Sequence, residues 1–112
     1  MILSHKIHVL TKKEELETVR LADKVVVVFD VLFATSTMVT AIAHGATAVL
    51  PVPDEAAARA AGAASEPGSF VMAGELYAET IRGFAPPTPL ALLELGLAGR
   101  RLIYATTNGT VA

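Results

Sequence analysis

Residues 25–29 read Val-Val-Val-Val-Phe, and Asp30 follows at once. An unbroken β-branched run without polar alternation predicts a strand buried on both faces. Parallel sheets covered by helices bury their strands in this way. A carboxylate at the end of such a strand marks the edge where the chain leaves the sheet.

The remaining chain fits this frame. Lys6–Leu10 predicts a short strand and Lys12–Arg20 a polar helix, with Thr11 as N-cap and Glu14 closing a capping box. Thr35–His44 predicts a helix, because Met38 and Ile42 share a face and Gly45 suits the position just past its end. Thr47–Val52 predicts a strand, and Glu55–Ala64 an alanine-rich helix capped by Asp54. Ser65–Gly68 is a turn and Ser69–Ala73 a strand. Gly74–Pro89 reads as a long irregular segment. Leu90–Leu97 predicts a short apolar helix, Gly99 a turn and Arg101–Ala105 a last strand. The alternation predicts an α/β fold, with three α/β/α layers, a mostly parallel sheet and a single domain over residues 1–112.

Composition narrows the surface. The chain is 53% hydrophobic and 18% charged, so either helices cover both sheet faces or apolar surface remains for a partner. The expectation is a sheet that is incomplete and completed by association, as a homo-oligomer. The net charge of −2, with no basic run and no Trp, argues against nucleic-acid binding. The longest apolar run is interrupted by Asp30 and falls far short of the ~20 residues of a membrane helix. The first residues lack a signal-peptide pattern, so no membrane partner and a cytoplasmic location are expected. Cysteine is absent, which removes disulfides and thiolate metal sites.

Parallel sheets bind ligands beyond the carboxyl ends of their strands. Asp30, Asp54, Gly74–Glu75 and Thr106–Thr110 each follow a predicted strand. Thr35, Ser36 and Thr37 open a predicted helix, where unpaired N–H groups and the dipole favour an anion. Ordinary helix capping accounts for the same hydroxyls. Thr107, Asn108, Gly109 and Thr110 suit close backbone approach to phosphate oxygens, and equally a hairpin turn at Asn-Gly. Asp30 and Glu75 form an oxygen-rich pair suited to Mg²⁺ beside a phosphate. Loop capping by Asp30 and a solvated Glu75 would explain them without a metal. Tyr77 and Arg82 lie in the irregular segment within reach of a ligand or simply in solvent. His5, His8 and His44 have no ligand-spaced partner. Phosphate-loop, dinucleotide, nucleophile-elbow and zinc-helix motifs are absent.

Taken in order, FDVLFATSTMVTAIAHGA, GELYAETIRGF with a later TP, and TTNGT resemble the 2-phosphosulfolactate phosphatase family. The resemblance runs from about Val25 to Ala112 and corresponds to the N-terminal part of a family member. It implies a Mg²⁺-dependent phosphatase of the coenzyme M biosynthesis type, acting on a small anionic substrate. Asp30 and Glu75 are then the catalytic and metal residues. Thr35, Ser36, Thr37, Thr107, Asn108, Gly109 and Thr110 are the phosphate-binding ones. Phe33, Leu76 and Val111 stand where the family pattern has arginine, and Pro87 where it has asparagine.

Arginine is the usual bidentate clamp for phosphate. Its replacement supports a second expectation, a shortened, catalytically degenerate member serving as an anion-binding or assembly module. A flavodoxin-like nucleotide binder is a third and lacks a fingerprint.

Overall fold

The computed structural model describes residues 5–17, 21–29 and 32–107. A 3-10 turn at Lys13–Glu15 is followed by α1 (Ala34–Ala43), β1 (Ala48–Val52), α2 (Glu55–Ala63) and β2 (Phe70–Leu76). Then come β3 (Glu79–Thr80), α3 (Pro89–Leu93) and β4 (Arg101–Ala105). The strands form one sheet in the order β1-β4-β2-β3. β4 pairs in parallel with both β1 and β2, so that Leu102 stands level with Val49 and Val71.

The aliphatic sequence of β4 explains its central place, since Leu102, Ile103, Tyr104 and Ala105 are all buried. Successive side chains point to opposite faces. Leu102 and Tyr104 pack with Ala34, Ala41, Ala73 and Leu92 beneath α1 and α3. Ile103 and Ala105 pack with Val52, Ala58 and Phe84 beneath α2. The result is the three-layer, mostly parallel α/β arrangement that the alternation predicts. Leu92 is wholly buried, and burial of such a side chain contributes about 1.5–3 kcal/mol.

The helix boundaries follow their caps. Asp54 accepts the Ala57 N–H at 2.8 Å, the predicted N-cap of α2. α1 ends as predicted with Gly45 at φ 95°, where the Gly45 and Ala46 N–H groups close onto the Ile42 and Ala41 carbonyls. Glu55 pairs with Arg59 on the outer face of α2, and the Arg59 guanidinium lies 5.1 Å from the Phe84 ring centre. The carbonyl of Arg82 accepts from the same guanidinium.

Five expectations are corrected. Val25–Phe29 is not a buried strand: it joins no ladder among the described residues, and Val25 and Phe29 are 93% and 87% exposed. Periodicity specifies what a strand would bury but not which edge it joins. The far side of β2 is taken by β3 and by a bridge to Ala85, while β1 carries Pro51, which has no N–H to offer. Among the described residues Lys6–Leu10 likewise pairs with no strand, and it is exposed. The predicted polar helix is reduced among the described residues to Lys13–Glu15, and residues 18–20 lie outside them. There Glu15, not Glu14, accepts the Thr11 N–H at 2.9 Å and the Thr11 hydroxyl at 3.2 Å.

The fourth correction concerns the segment read as irregular. β2 runs on to Leu76 and turns back through Tyr77 and Ala78 into β3. Both turn residues have positive φ, 52° and 67°. Two-residue hairpin turns of this hand favour asparagine and glycine, so Tyr-Ala gives no sequence signal. α3 is shorter than predicted, starting at Pro89 and ending at Leu93.

Candidate functional site

At the carboxyl end of β2 and β4, on the face covered by α1 and α3, lies an open cleft of about 910 Å³. Phe33 and Ala34 at the start of α1 form one wall, and Pro86–Thr88 form another. Glu75, Thr106 and Thr107 form the strand-end floor beside Tyr104. The arm containing Thr11, Lys12 and Glu14, together with Val28 and Phe29, closes a further side.

The strand periodicity that builds the core also aims the site. Tyr104 and Thr106 follow Leu102 on one face of β4, and Glu75 follows Ala73 on the same face of β2. The Pro87 carbonyl fixes the loop above them. It accepts from the Thr37 hydroxyl at 3.1 Å and from the Tyr104 hydroxyl at 3.2 Å. Helix, strand and loop therefore share one acceptor.

Glu75 is the most engaged polar side chain of the floor. Its Oε1 accepts the Thr107 N–H at 2.6 Å. Its Oε2 accepts the Ala78 N–H at 2.6 Å and the Thr107 hydroxyl at 3.2 Å. The Tyr77 N–H donates in turn to Thr107 Oγ1 at 2.9 Å.

The candidate residues are thus divided. Glu75 and Thr107 are brought together. Thr35 is exposed and Ser36 partly buried at the first turn of α1, next to the cleft wall but not lining it. Thr37 is fully buried and points to Pro87, a core position rather than a cleft one. Asp54 is occupied as the cap of α2. Asp30, Asn108, Gly109 and Thr110 lie outside the described residues. Sequence reasoning passed over Tyr104, Thr80 and Lys12 as individual cleft-lining groups. A tyrosine within an otherwise aliphatic buried strand is the one usable signal, because a buried phenol needs a partner. Of the positions where the family pattern has arginine, Phe33 lines the cleft, Leu76 does not, and Val111 is outside the described residues.

A carboxylate has about four lone-pair positions. Three at Glu75 are taken by protein donors, leaving one on Oε1. Among the described residues, no group of three or more His, Asp or Glu stands close enough to hold a metal. Lys12 is the one basic residue among the described residues that line the cleft.

The family profile described as 2-phosphosulpholactate phosphatase matches residues 10–112. The chain belongs to this family. It is 40% identical over 93 residues to a protein of Symbiobacterium thermophilum named "Probable 2-phosphosulfolactate phosphatase". That match covers 82% of this chain and 40% of the relative. A protein of the same name from Caldanaerobacter subterraneus subsp. tengcongensis is 38% identical over 93 residues, covering 82% and 39%. Another from Gloeobacter violaceus is 41% identical over 85 residues, covering 75% and 36%. The chain therefore spans about two fifths of the length of these curated relatives. No described helix is long and apolar enough to cross a membrane.

Proposed function

We propose that this chain carries the phosphate-handling part of a cytoplasmic phosphatase for small phosphorylated acids, with 2-phosphosulfolactate as the first substrate to test. The observation that carries the proposal is the meeting of Glu75, Thr106, Thr107 and the start of α1 around one cleft at the strand ends. This is where parallel sheets place ligands. Asn108, Gly109 and Thr110 and the first N–H groups of α1 would hold phosphate oxygens, with Thr35 and Ser36 adding hydroxyls, while Thr107, whose N–H and hydroxyl are both given to Glu75, would anchor the residues that follow it. Thr37 supports that helix start from within. Rate enhancement would come from positioning and from fixed donors at the developing negative charge. Mg²⁺ dependence belongs to the proposal on the family resemblance. With Glu75 engaged by two N–H groups and a hydroxyl, Asp30, the other carboxylate of the family pattern, would meet the ion.

Phosphate release from 2-phosphosulfolactate, measured with and without Mg²⁺, tests this reading. Turnover that needs Mg²⁺ and falls in Asp30→Asn is expected. No turnover by the wild-type protein, or an unchanged rate in the variant, would sink it.

A second reading has an observation in its favour. Phe33, 50% exposed, presents a ring to the cleft where the family pattern has a cation, beside exposed Leu32 and Phe29. A catalytically degenerate anion-binding or assembly module would keep the fold and lose turnover. Its exposed apolar segments suit self-association, which sedimentation would detect as a homo-oligomer.

A further inference from the structure

We infer that Glu75 is a positioning residue that acts on the site through Thr107, rather than a metal ligand or a proton-transfer group. The inference rests on the phosphatase reading for its functional meaning, but its geometry stands without it. Two segments far apart in sequence meet here: the end of β2 with its hairpin turn, and the chain leaving β4. Each needs a partner for backbone that no ladder serves. The Thr107 N–H lies beyond the last β2–β4 pair, Gly74 with Ala105. Tyr77 and Ala78 sit at positive φ, where side chains other than glycine or asparagine are disfavoured. Such conformations persist only when the surroundings fix them.

Glu75 and Thr107 supply that fixing. One carboxylate oxygen holds the Thr107 N–H, and the other holds the Ala78 N–H and the Thr107 hydroxyl. The hydroxyl then receives the Tyr77 N–H. Donor and acceptor roles agree all round the cluster: the hydroxyl gives its proton to Oε2 and accepts from Tyr77. Hydrogen bonds to an ionised acceptor are roughly twice as strong as neutral ones. The carboxylate therefore fixes Thr107, the residue from which the segment that the proposed function assigns to phosphate departs. Three of the carboxylate's roughly four lone-pair positions are spent on the clamp, and one, on Oε1, is left.

Glu75→Gln and Thr107→Val separate this role from the alternatives, read by amide exchange on the intact chain. An amide side chain must turn its N–H₂ either toward the Thr107 N–H or toward the Ala78 N–H and the Thr107 hydroxyl, donor against donor in both cases. In Glu75→Gln the Tyr77, Ala78 and Thr107 amides should exchange at least about tenfold faster, with Ile103 in β4 unchanged. Thr107→Val removes the hydroxyl but keeps the N–H, so the Tyr77 amide should accelerate while the Thr107 amide stays protected. Titration with Mg²⁺ alone should give the same affinity in Glu75→Gln as in wild type. Affinity for inorganic phosphate should fall at least about tenfold. If the variant turns over substrate, its pH–rate profile should keep the wild-type acid limb at a lower plateau.

Unchanged exchange at the three amides, or loss of Mg²⁺ affinity with exchange unchanged, would overturn the inference. Should Glu75→Gln fail to fold, the selective pattern in Thr107→Val decides, and acceleration of neither amide counts against the clamp. A wild-type chain that binds no phosphate and releases none would refute the phosphatase reading, while the exchange data would still judge the clamp.

Discussion

The Pro87 carbonyl is a node at which helix, strand and loop depend on one another, and the dependence has a measurable sign. Thr37 and Tyr104 each donate a hydroxyl to it, at 3.1 and 3.2 Å, and both side chains are buried. Thr37→Val and Tyr104→Phe remove one donor each with little change of shape. After either change the carbonyl keeps the other donor, so each single variant should lose about 0.5–1.5 kcal/mol, the net value of one hydrogen bond. The double variant removes both donors. A partly buried carbonyl left without a partner carries a desolvation penalty of about 1–3 kcal/mol. Pro87 is not fully buried, so water reduces the penalty and the lower half of that range applies. The double variant should therefore exceed the sum of the singles by about 1–2 kcal/mol. Urea unfolding of the four proteins measures this directly, provided the denaturant slope stays constant. Strict additivity, within about 0.3 kcal/mol, would refute the shared acceptor. It would mean that the 86–88 loop is held by its prolines and not by this node.

Three further outcomes follow from individual positions. Gly74→Ala should destabilise by about 1–3 kcal/mol in urea unfolding, because a Cβ there would run into the Ala105 carbonyl and the Ile81 side chain across the β2–β4 pair. Phe33→Arg should raise affinity for inorganic phosphate by about 10- to 100-fold, since one charge-assisted contact is worth about 1.5–3 kcal/mol; calorimetric titration showing no gain would place that position outside the anion's reach. The Glu15 carboxyl is held below the usual glutamate range, chiefly by the Thr11 N–H and then by its hydroxyl. A depressed folded pKa means that the Thr11–Glu15 contact is complete above the ordinary glutamate pKa and is lost as pH falls through the lowered one, which the Thr11 amide shift in an NMR pH series should follow.

Legibility in the sequence varied with the kind of physics involved. Asp54, Gly45 and the Arg101–Ala105 strand act over a few residues, and each is found where the sequence places it. The central position of β4 and the free arm at Val25–Phe29 are decisions about edges, and an edge depends on partners distant in the chain. The β2–β3 hairpin went unseen for a related reason. Its Tyr-Ala turn violates local preference and is held by a carboxylate on one side and a threonine thirty residues away on the other. Local propensity fails where a tertiary contact overrides it. The site shows the same division. The meeting of Glu75 with Thr106 and Thr107 follows from neighbouring parallel strands, whereas the role of each hydroxyl does not.

That division has a cause. Where parallel strands end, the chain must turn while its amide groups lose their ladder partners, and buried N–H groups require acceptors. Polar side chains nearest the sheet meet that need first. Glu75 serves the hairpin turn and Thr107, and Thr37 serves the loop at Pro87. Positions one step further out, such as Thr35, are left exposed beside the cleft. A motif of carboxylates and hydroxyls at strand ends is therefore a mixture of supports and contacts, and its spacing alone does not separate them. Burial and hydrogen-bond direction do. By those criteria the polar residues next to β2 and β4 build the rim of the cleft, and a ligand would meet the backbone they hold.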